Sequence, residues 1–128
     1  MGQQQLLLII LGVIIVGIAI AVGLSLFSAQ SVQSNRDAMI NDLNNLAAQA
    51  YQFYIRPTSM GGGQSDYTTF TIPTKMQTNE NGTYTVSSHT TTTIVFLATS
   101  AQNASNTIKV TIDQNGKLSS WVYAGDFQ

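Results

Sequence analysis

The side chains that could support chemistry in this chain are few and widely separated. His89 is the only histidine and there is no cysteine, and no Asp or Glu follows His89 at the spacing of a metal site. The stretch Asp113-Gln114-Asn115 lacks the alternating acidic residues and the distant Glu of a calcium loop. Gly61-Gly62-Gly63 has no Lys after it, so it does not fit a phosphate-binding loop. The sequence therefore predicts no enzyme activity, no metal and no cofactor.

Two acceptor triplets for N-linked sugars occur in the chain, Asn81-Gly82-Thr83 and Asn103-Ala104-Ser105. Such triplets also arise by chance in a sequence rich in Ser, Thr and Asn. A run of hydroxyl side chains that would suit O-linked sugars consists of Thr90, Thr91, Thr92 and Thr93. We take these residues as candidate modification sites on an exterior that carries little charge.

Composition restricts the class of partner. Only 9% of residues are charged and the formal net charge is -1, so the chain lacks the basic surface that phosphate backbones require. Nucleic acid is not an expected partner. No residue from Met1 to Asn35 is formally charged, which predicts one part of the chain in an apolar environment and another in water.

The apolar segment, residues 6–24, reads LLLIILGVIIVGIAIAVGL. As a helix it would be roughly 28 Å long, close to the ~30 Å hydrocarbon core of a bilayer. A cleavable signal sequence fits less well, because MGQQQ supplies no Lys or Arg and the apolar run is longer than a signal core. A plain single-pass anchor would carry basic residues near its cytoplasmic end, and the N-terminal end has none. We expect a stage in which this segment spans a membrane.

Small residues within the apolar segment suggest contacts with other helices. Gly12, Ala19 and Gly23 fall on nearly one helix face, because they are spaced seven and four residues apart. Gly17 lies away from them, so more than one face could be approached closely. Small residues let helix backbones approach each other in lipid. The alternative is that glycine is simply common in membrane helices.

The helical pattern continues beyond the apolar segment. No proline occurs between Ser25 and Ile55, and Pro57 with the following glycines predicts the end of the helix at Ile55 or Arg56. Apolar residues recur at steps of three and four and form one amphipathic stripe. They are Met39, Leu43, Leu46, Ala47, Ala50, Phe53 and Tyr54.

The remainder of the chain is typical of short β-strands. Five runs are separated by turn residues, at positions 67–72, 83–88, 90–99, 106–112 and 117–124. Asn81-Gly82 and Asn115-Gly116 are typical of tight hairpin turns. We therefore predict an α+β fold in which a long N-terminal α-helix packs on a small four- to five-stranded antiparallel sheet. Its expected parts are an apolar helix half (1–35), an amphipathic helix (36–55), a Gly-rich loop (57–66) and a sheet (67–124), the last three forming a globular domain (36–128).

This arrangement resembles the type IV pilin-like subunits of extracellular filaments, with the motif itself confined to residues 1–26. In that family an apolar helix opens with a few residues and a glutamate at the fifth position, which neutralises the terminal amine of an adjoining subunit. Gln5 stands in that place here and offers only a hydrogen bond. The family's usual proline near the end of the apolar run is absent, and Gly23 lies in that part of the sequence. The resemblance implies a homo-oligomeric filament, insertion in the inner membrane before assembly, and a pilus assembly machinery as partner.

Three functions are consistent with these patterns. The first is a structural subunit of a type IV pilus-like filament, the second a minor pseudopilin of a secretion or uptake system, and the third a monomeric, membrane-anchored binding domain. The residues expected to take part in filament assembly are Met1, Gln5, Leu6, Gly12, Gly17, Ala19 and Gly23.

Overall fold

The computed structural model describes residues 2–128 of the chain. Its first element is the helix α1, Gly2–Ile55, which ends where Pro57 disfavours helical geometry at the preceding residue. The chain divides into two compact units, one up to Gln33 and one from Ser34. We call the second unit, residues 34–128, the head.

The Gly-rich loop caps the C-terminus of α1. The Gly63 amide donates to the Phe53 carbonyl at 2.9 Å, and the Ser65 amide donates to the Tyr54 carbonyl at 2.6 Å. Both acceptors belong to the last helical turn, where carbonyl groups have no partner within the helix. A Cβ atom added to Gly63 would overlap the Asp66 carbonyl and crowd the Phe53 ring. The loop therefore requires glycine at this position.

Replacing Gly63 by Ala is expected to lower the free energy of unfolding by about 1–3 kcal/mol, because the added methyl group forces the backbone to shift. The same change at Gly12 serves as a control, since a Cβ atom there meets nothing within 4 Å. Thermal unfolding of the detergent-solubilised chain, followed by Trp121 fluorescence, measures both. Equal stability of the two variants would contradict the cap.

Four antiparallel strands form one sheet in the order β1-β2-β3-β4. They are β1 Gly82–His89, β2 Ile94–Ser100, β3 Thr107–Ile112 and β4 Leu118–Ala124. Alternation along β2 buries Ile94, Phe96 and Ala98. The predicted α+β class, with one long helix on an antiparallel sheet, is confirmed with four strands, and the sheet begins at Gly82 and not at residue 67.

The prediction of a strand at residues 67–72 is wrong, because this segment lies outside every strand. The Asp66 carboxylate accepts hydrogen bonds from the Thr68 amide at 2.7 Å and the Thr68 hydroxyl at 2.6 Å, and such a local turn competes with a strand. Pro73 follows and has no N–H for a ladder. A short helix, α2 (Thr74–Gln77), comes next. The apolar side chains of the segment are buried without strand pairing.

The core of the head lies between α1 and one face of the sheet. The helix contributes Met39, Leu43, Leu46, Ala47, Ala50 and Tyr54, as the stripe predicts, while Phe53 is half-buried. The rest of the buried apolar core consists of Tyr67, Phe70, Ile72, Tyr84, Ile94, Phe96, Ala98, Ile108, Val110, Ile112 and Phe127. On the edge strands β1 and β4, the side chains of Val86, Leu118, Trp121 and Tyr123 are only half-buried.

The Asn115-Gly116 signature marks a hairpin turn, as predicted. The Gly116 amide donates to the Asp113 carbonyl at 3.0 Å, and the Asp113 amide donates to the Lys117 carbonyl at 3.1 Å. Gly116 has a φ of 78°, the left-handed value that closes a three-residue hairpin loop. The turn joins β3 to β4.

Candidate assembly site

The apolar segment is exposed along its whole length within its unit. Every residue from Gly2 to Gln30 is exposed, with Leu8 at 68% and Phe27 at 75%. α1 is long and apolar enough to cross a membrane, with a mean hydropathy of 3.2 in an 18-residue window of which 0% is buried. A signal sequence near the N-terminus can also be long and apolar enough to qualify as such a helix. The segment can therefore insert in a bilayer, and nothing within its unit covers its side chains.

The small residues predicted to mediate assembly all lie in α1 and are exposed. A Cβ atom built on Gly12, Gly17 or Gly23 would meet nothing within 4 Å. Glycine inside a helix is less favourable than alanine by roughly 0.5–1 kcal/mol. No contact within the described chain offsets that cost, so close packing inside the chain does not explain these glycines.

The remaining predicted assembly residues are at the start of α1. Gln5 and Leu6 are exposed in its first turns, and the first turn contains no acidic residue. Met1 lies outside the described residues. A neutral amide at position 5 can donate and accept hydrogen bonds but cannot neutralise a terminal amine.

A polar cluster that the sequence pattern does not predict joins α1 to β1 and to the turn before β1, inside the head. The Asp42 carboxylate accepts hydrogen bonds from the Tyr84 hydroxyl at 2.5 Å and from the side-chain Nδ2 groups of Asn79 at 2.8 Å and Asn81 at 2.9 Å. Burial is the largest influence on the pKa of Asp42 and raises it, but the three hydrogen bonds together outweigh burial and leave the pKa below its ordinary 3.8. We call these four residues the Asp42 cluster.

Asn35 forms a further polar contact at the start of the head. It is 6% exposed, its Nδ2 donates to the Asn81 carbonyl at 2.9 Å, and its Oδ1 accepts from the Ser100 hydroxyl at 2.5 Å. Both polar ends of a buried amide are therefore satisfied, as burial requires. The only sequence signal was an Asn at a position that continues the apolar stripe.

Tyr67 connects the loop after α1 to the turn between β3 and β4. Its hydroxyl donates to the Asp113 carbonyl at 2.8 Å, and its ring stacks on Tyr54 with centroids 4.5 Å apart. Burial, followed by the proximity of Tyr54, Asp113 and Tyr51, raises the pKa of Tyr67 from 10.0 to about 12. The neutral phenol is the form that the folded head favours.

Stability is therefore expected to fall as the pH rises from 10 to about 12, the window between the ordinary and the folded pKa of Tyr67. Below the ordinary value both states hold the proton, and above it the unfolded state loses the proton first. Urea unfolding across this range measures the loss, with Tyr67→Phe as the control that removes the titrating group. An equally steep loss in Tyr67→Phe would contradict this assignment.

His89 is exposed at the end of β1, beside an open groove of about 390 Å³. The groove lining includes Phe70, Ile72 and Thr85 but no carboxylate. Within residues 2–128, no group of three or more His, Cys, Asp or Glu side chains is placed to hold a metal ion. The geometry therefore gives His89 no charged partner in this groove.

The candidate modification sites have different environments. The run 90–93 is a turn between β1 and β2 and not the start of a strand, because the Thr90 hydroxyl accepts from the Thr93 amide at 3.1 Å. Thr93 is half-buried, and the other three threonines are exposed. Asn81 is half-buried in the Asp42 cluster, whereas Asn103 is exposed in the β2–β3 loop.

Comparison of the chain with protein-family models, with curated proteins and with solved structures gives no match. Fold likeness therefore adds nothing to the functional argument, which depends on the residues of the site.

Proposed function

We propose that this chain is a structural subunit of an extracellular type IV pilus-like filament, which polymerises through the apolar segment. The observation that carries the proposal is that residues 6–24 are exposed, whereas the head buries its own core. Monomeric soluble proteins rarely expose a contiguous apolar patch larger than a few hundred Å². The segment therefore needs lipid or other protein chains around it.

The energy available from covering the segment is large. Once the segment has left the lipid, burying ~1,000 Å² per subunit at ~25 cal/mol per Å² corresponds to roughly 25 kcal/mol. Association costs on the order of 4–15 kcal/mol in lost freedom. No formally charged residue occurs from Met1 to Asn35, so packing of these helices would bury no unpaired side-chain charge. A helical array of subunits could therefore be stable without covalent links.

The small residues favour protein neighbours over lipid alone. Apolar side chains provide little drive for helix association within lipid, and close backbone approach at small residues supplies it. Gly12, Gly17 and Gly23 have open space where a side chain would be. Helices of neighbouring subunits that pack there would explain why glycine occupies these positions.

The proposed assembly is an open filament. Head-to-tail contacts between identical subunits generate a filament when their repetition does not close into a ring. Before assembly, the apolar segment lies in the inner membrane, and the partners are copies of the chain and a pilus assembly machinery. Gln5 would supply a hydrogen bond to the N-terminus of an adjoining subunit, in place of the family's glutamate.

Shearing of cells tests this function. The expected result is that the chain is abundant in the sheared fraction, within thin filaments seen by electron microscopy. A chain that is rare in that fraction and confined to an envelope-bound assembly would instead be a minor pseudopilin. Recovery only from the membrane, as a detergent-soluble monomer, would indicate an anchored binding domain and contradict the proposal.

A further inference from the structure

The two N-glycosylation triplets differ sharply in the availability of the acceptor nitrogen. Asn81 Nδ2 donates to the Asp42 carboxylate at 2.9 Å, and the Asn81 carbonyl accepts from Asn35 at 2.9 Å. A sugar on Asn81 Nδ2 would replace one of its two N–H groups and place a bulky group inside the half-buried Asp42 cluster, where this nitrogen makes a charge-assisted hydrogen bond. Both the side chain and the backbone carbonyl of Asn81 therefore make contacts that stabilise the folded head.

Asn103 presents the opposite situation. It is exposed in the loop between β2 and β3, and its Oδ1 accepts from the Ser105 amide at 3.0 Å. Its carbonyl accepts from the Asn106 amide at 3.0 Å, so the turn is held by backbone contacts and by Oδ1. Within residues 2–128, Nδ2 of Asn103 has no hydrogen-bond acceptor. Because Asn103 is exposed, a bulky polar group attached to this nitrogen could remain in solvent.

We infer that Asn103 is an acceptor for an N-linked glycan, and that Asn81 is not. In the transfer, Nδ2 attacks the anomeric carbon of a lipid-linked oligosaccharide. The new N–C bond replaces the C–O bond to the lipid pyrophosphate, which leaves with the electron pair of that bond, and the nitrogen gives up one amide proton. The acceptor contributes no redox step and no metal.

A glycan at this loop would add a hydrated, neutral surface to a chain in which only 9% of residues are charged. The inference depends on one part of the proposed function, namely that the head is exported. It does not depend on polymerisation, so filaments without sugar and sugar without filaments are separate outcomes.

The test uses the full chain made by the cells that encode it. Chymotryptic cleavage after Leu97 separates Asn103 from both Asn81 and the threonine run, and mass spectrometry then compares the Asn103 peptide among variants. Ser105→Ala and Thr83→Val are a matched pair, because each removes one triplet at an exposed position and leaves its asparagine in place.

The Asn103 peptide is expected to be heavier than the bare sequence in the wild type and in Thr83→Val, and to have the bare mass in Ser105→Ala and Asn103→Gln. A bare mass in the wild type would overturn the inference. So would added mass that survives in Ser105→Ala, or a sugar found on Asn81 in place of Asn103.

Discussion

Replacing Gly12 by leucine is expected to lower the yield of filaments in the sheared fraction by at least about tenfold, while the head stays folded. A leucine side chain at an interhelical contact prevents close backbone approach, and a loss of only 1.4 kcal/mol per contact corresponds to a factor of ten. Within its own unit the variant meets no obstacle, since nothing lies within 4 Å of a Cβ atom at Gly12. Electron microscopy and immunodetection of the sheared fraction measure the yield.

Two variants make this result specific. Ala19→Leu, on the same helix face as Gly12, should behave alike. Ile14→Leu changes another exposed position of the segment while conserving volume, and it should leave the yield unchanged. Trp121 fluorescence of the solubilised variants establishes that the head remains folded. Normal filaments from both Gly12→Leu and Ala19→Leu would contradict assembly through the small residues.

Replacing Asp42 by alanine is expected to destabilise the head by about 1–3 kcal/mol or more, because it leaves a buried hydroxyl without its acceptor. Tyr84, which donates to Asp42 at 2.5 Å, is only 1% exposed. Tyr84→Phe removes the hydroxyl itself, so no buried donor is left without an acceptor, and this variant should lose less stability than Asp42→Ala. Urea unfolding of each single variant and of the double variant measures the coupling, and purely additive losses would contradict the contact.

The Asp42 cluster also predicts a dependence on acid pH. Because the pKa of Asp42 is lowered on folding from 3.8, the unfolded state takes up the proton first as the pH falls. The resulting stability is present above pH 3.8 and is lost as the pH falls through the folded pKa. Asp42→Asn has no carboxylate to titrate, so its stability should fall less steeply in this range. An unchanged slope would exclude Asp42 as a contributor.

Most of the fold is visible in the sequence because periodicity and turn chemistry agree there. The stripe from Met39 to Tyr54 repeats at helical spacing, and Asn115-Gly116 marks the turn between β3 and β4. Residues 67–72 mislead because aromatic and β-branched residues favour burial as well as strands. What prevents a strand there is local: the Asp66 turn and Pro73. Such a competition depends on side-chain hydrogen bonds that the pattern of apolar residues does not encode.

The placement of the small residues on a helix is predictable from the sequence, whereas the polar contacts of the head are not. Gly12, Ala19 and Gly23 can be placed on one face from their spacing alone. The cluster around Asp42 joins it to residues 37 or more positions away in the sequence. Nothing in the types Asp, Asn and Tyr, taken separately, predicts that pairing. The same structural information separates Asn81 from Asn103, whose triplets are equivalent as sequence.

Cryo-electron microscopy of sheared material tests the central claim most directly. We predict a helical filament whose axial density consists of packed α-helices that fit residues 6–24, with neighbouring backbones closest at Gly12, Ala19 and Gly23. The four-stranded heads should lie outside that core. Filaments that lack this chain, or a filament in which residues 6–24 make no contact between subunits, would contradict the proposed function.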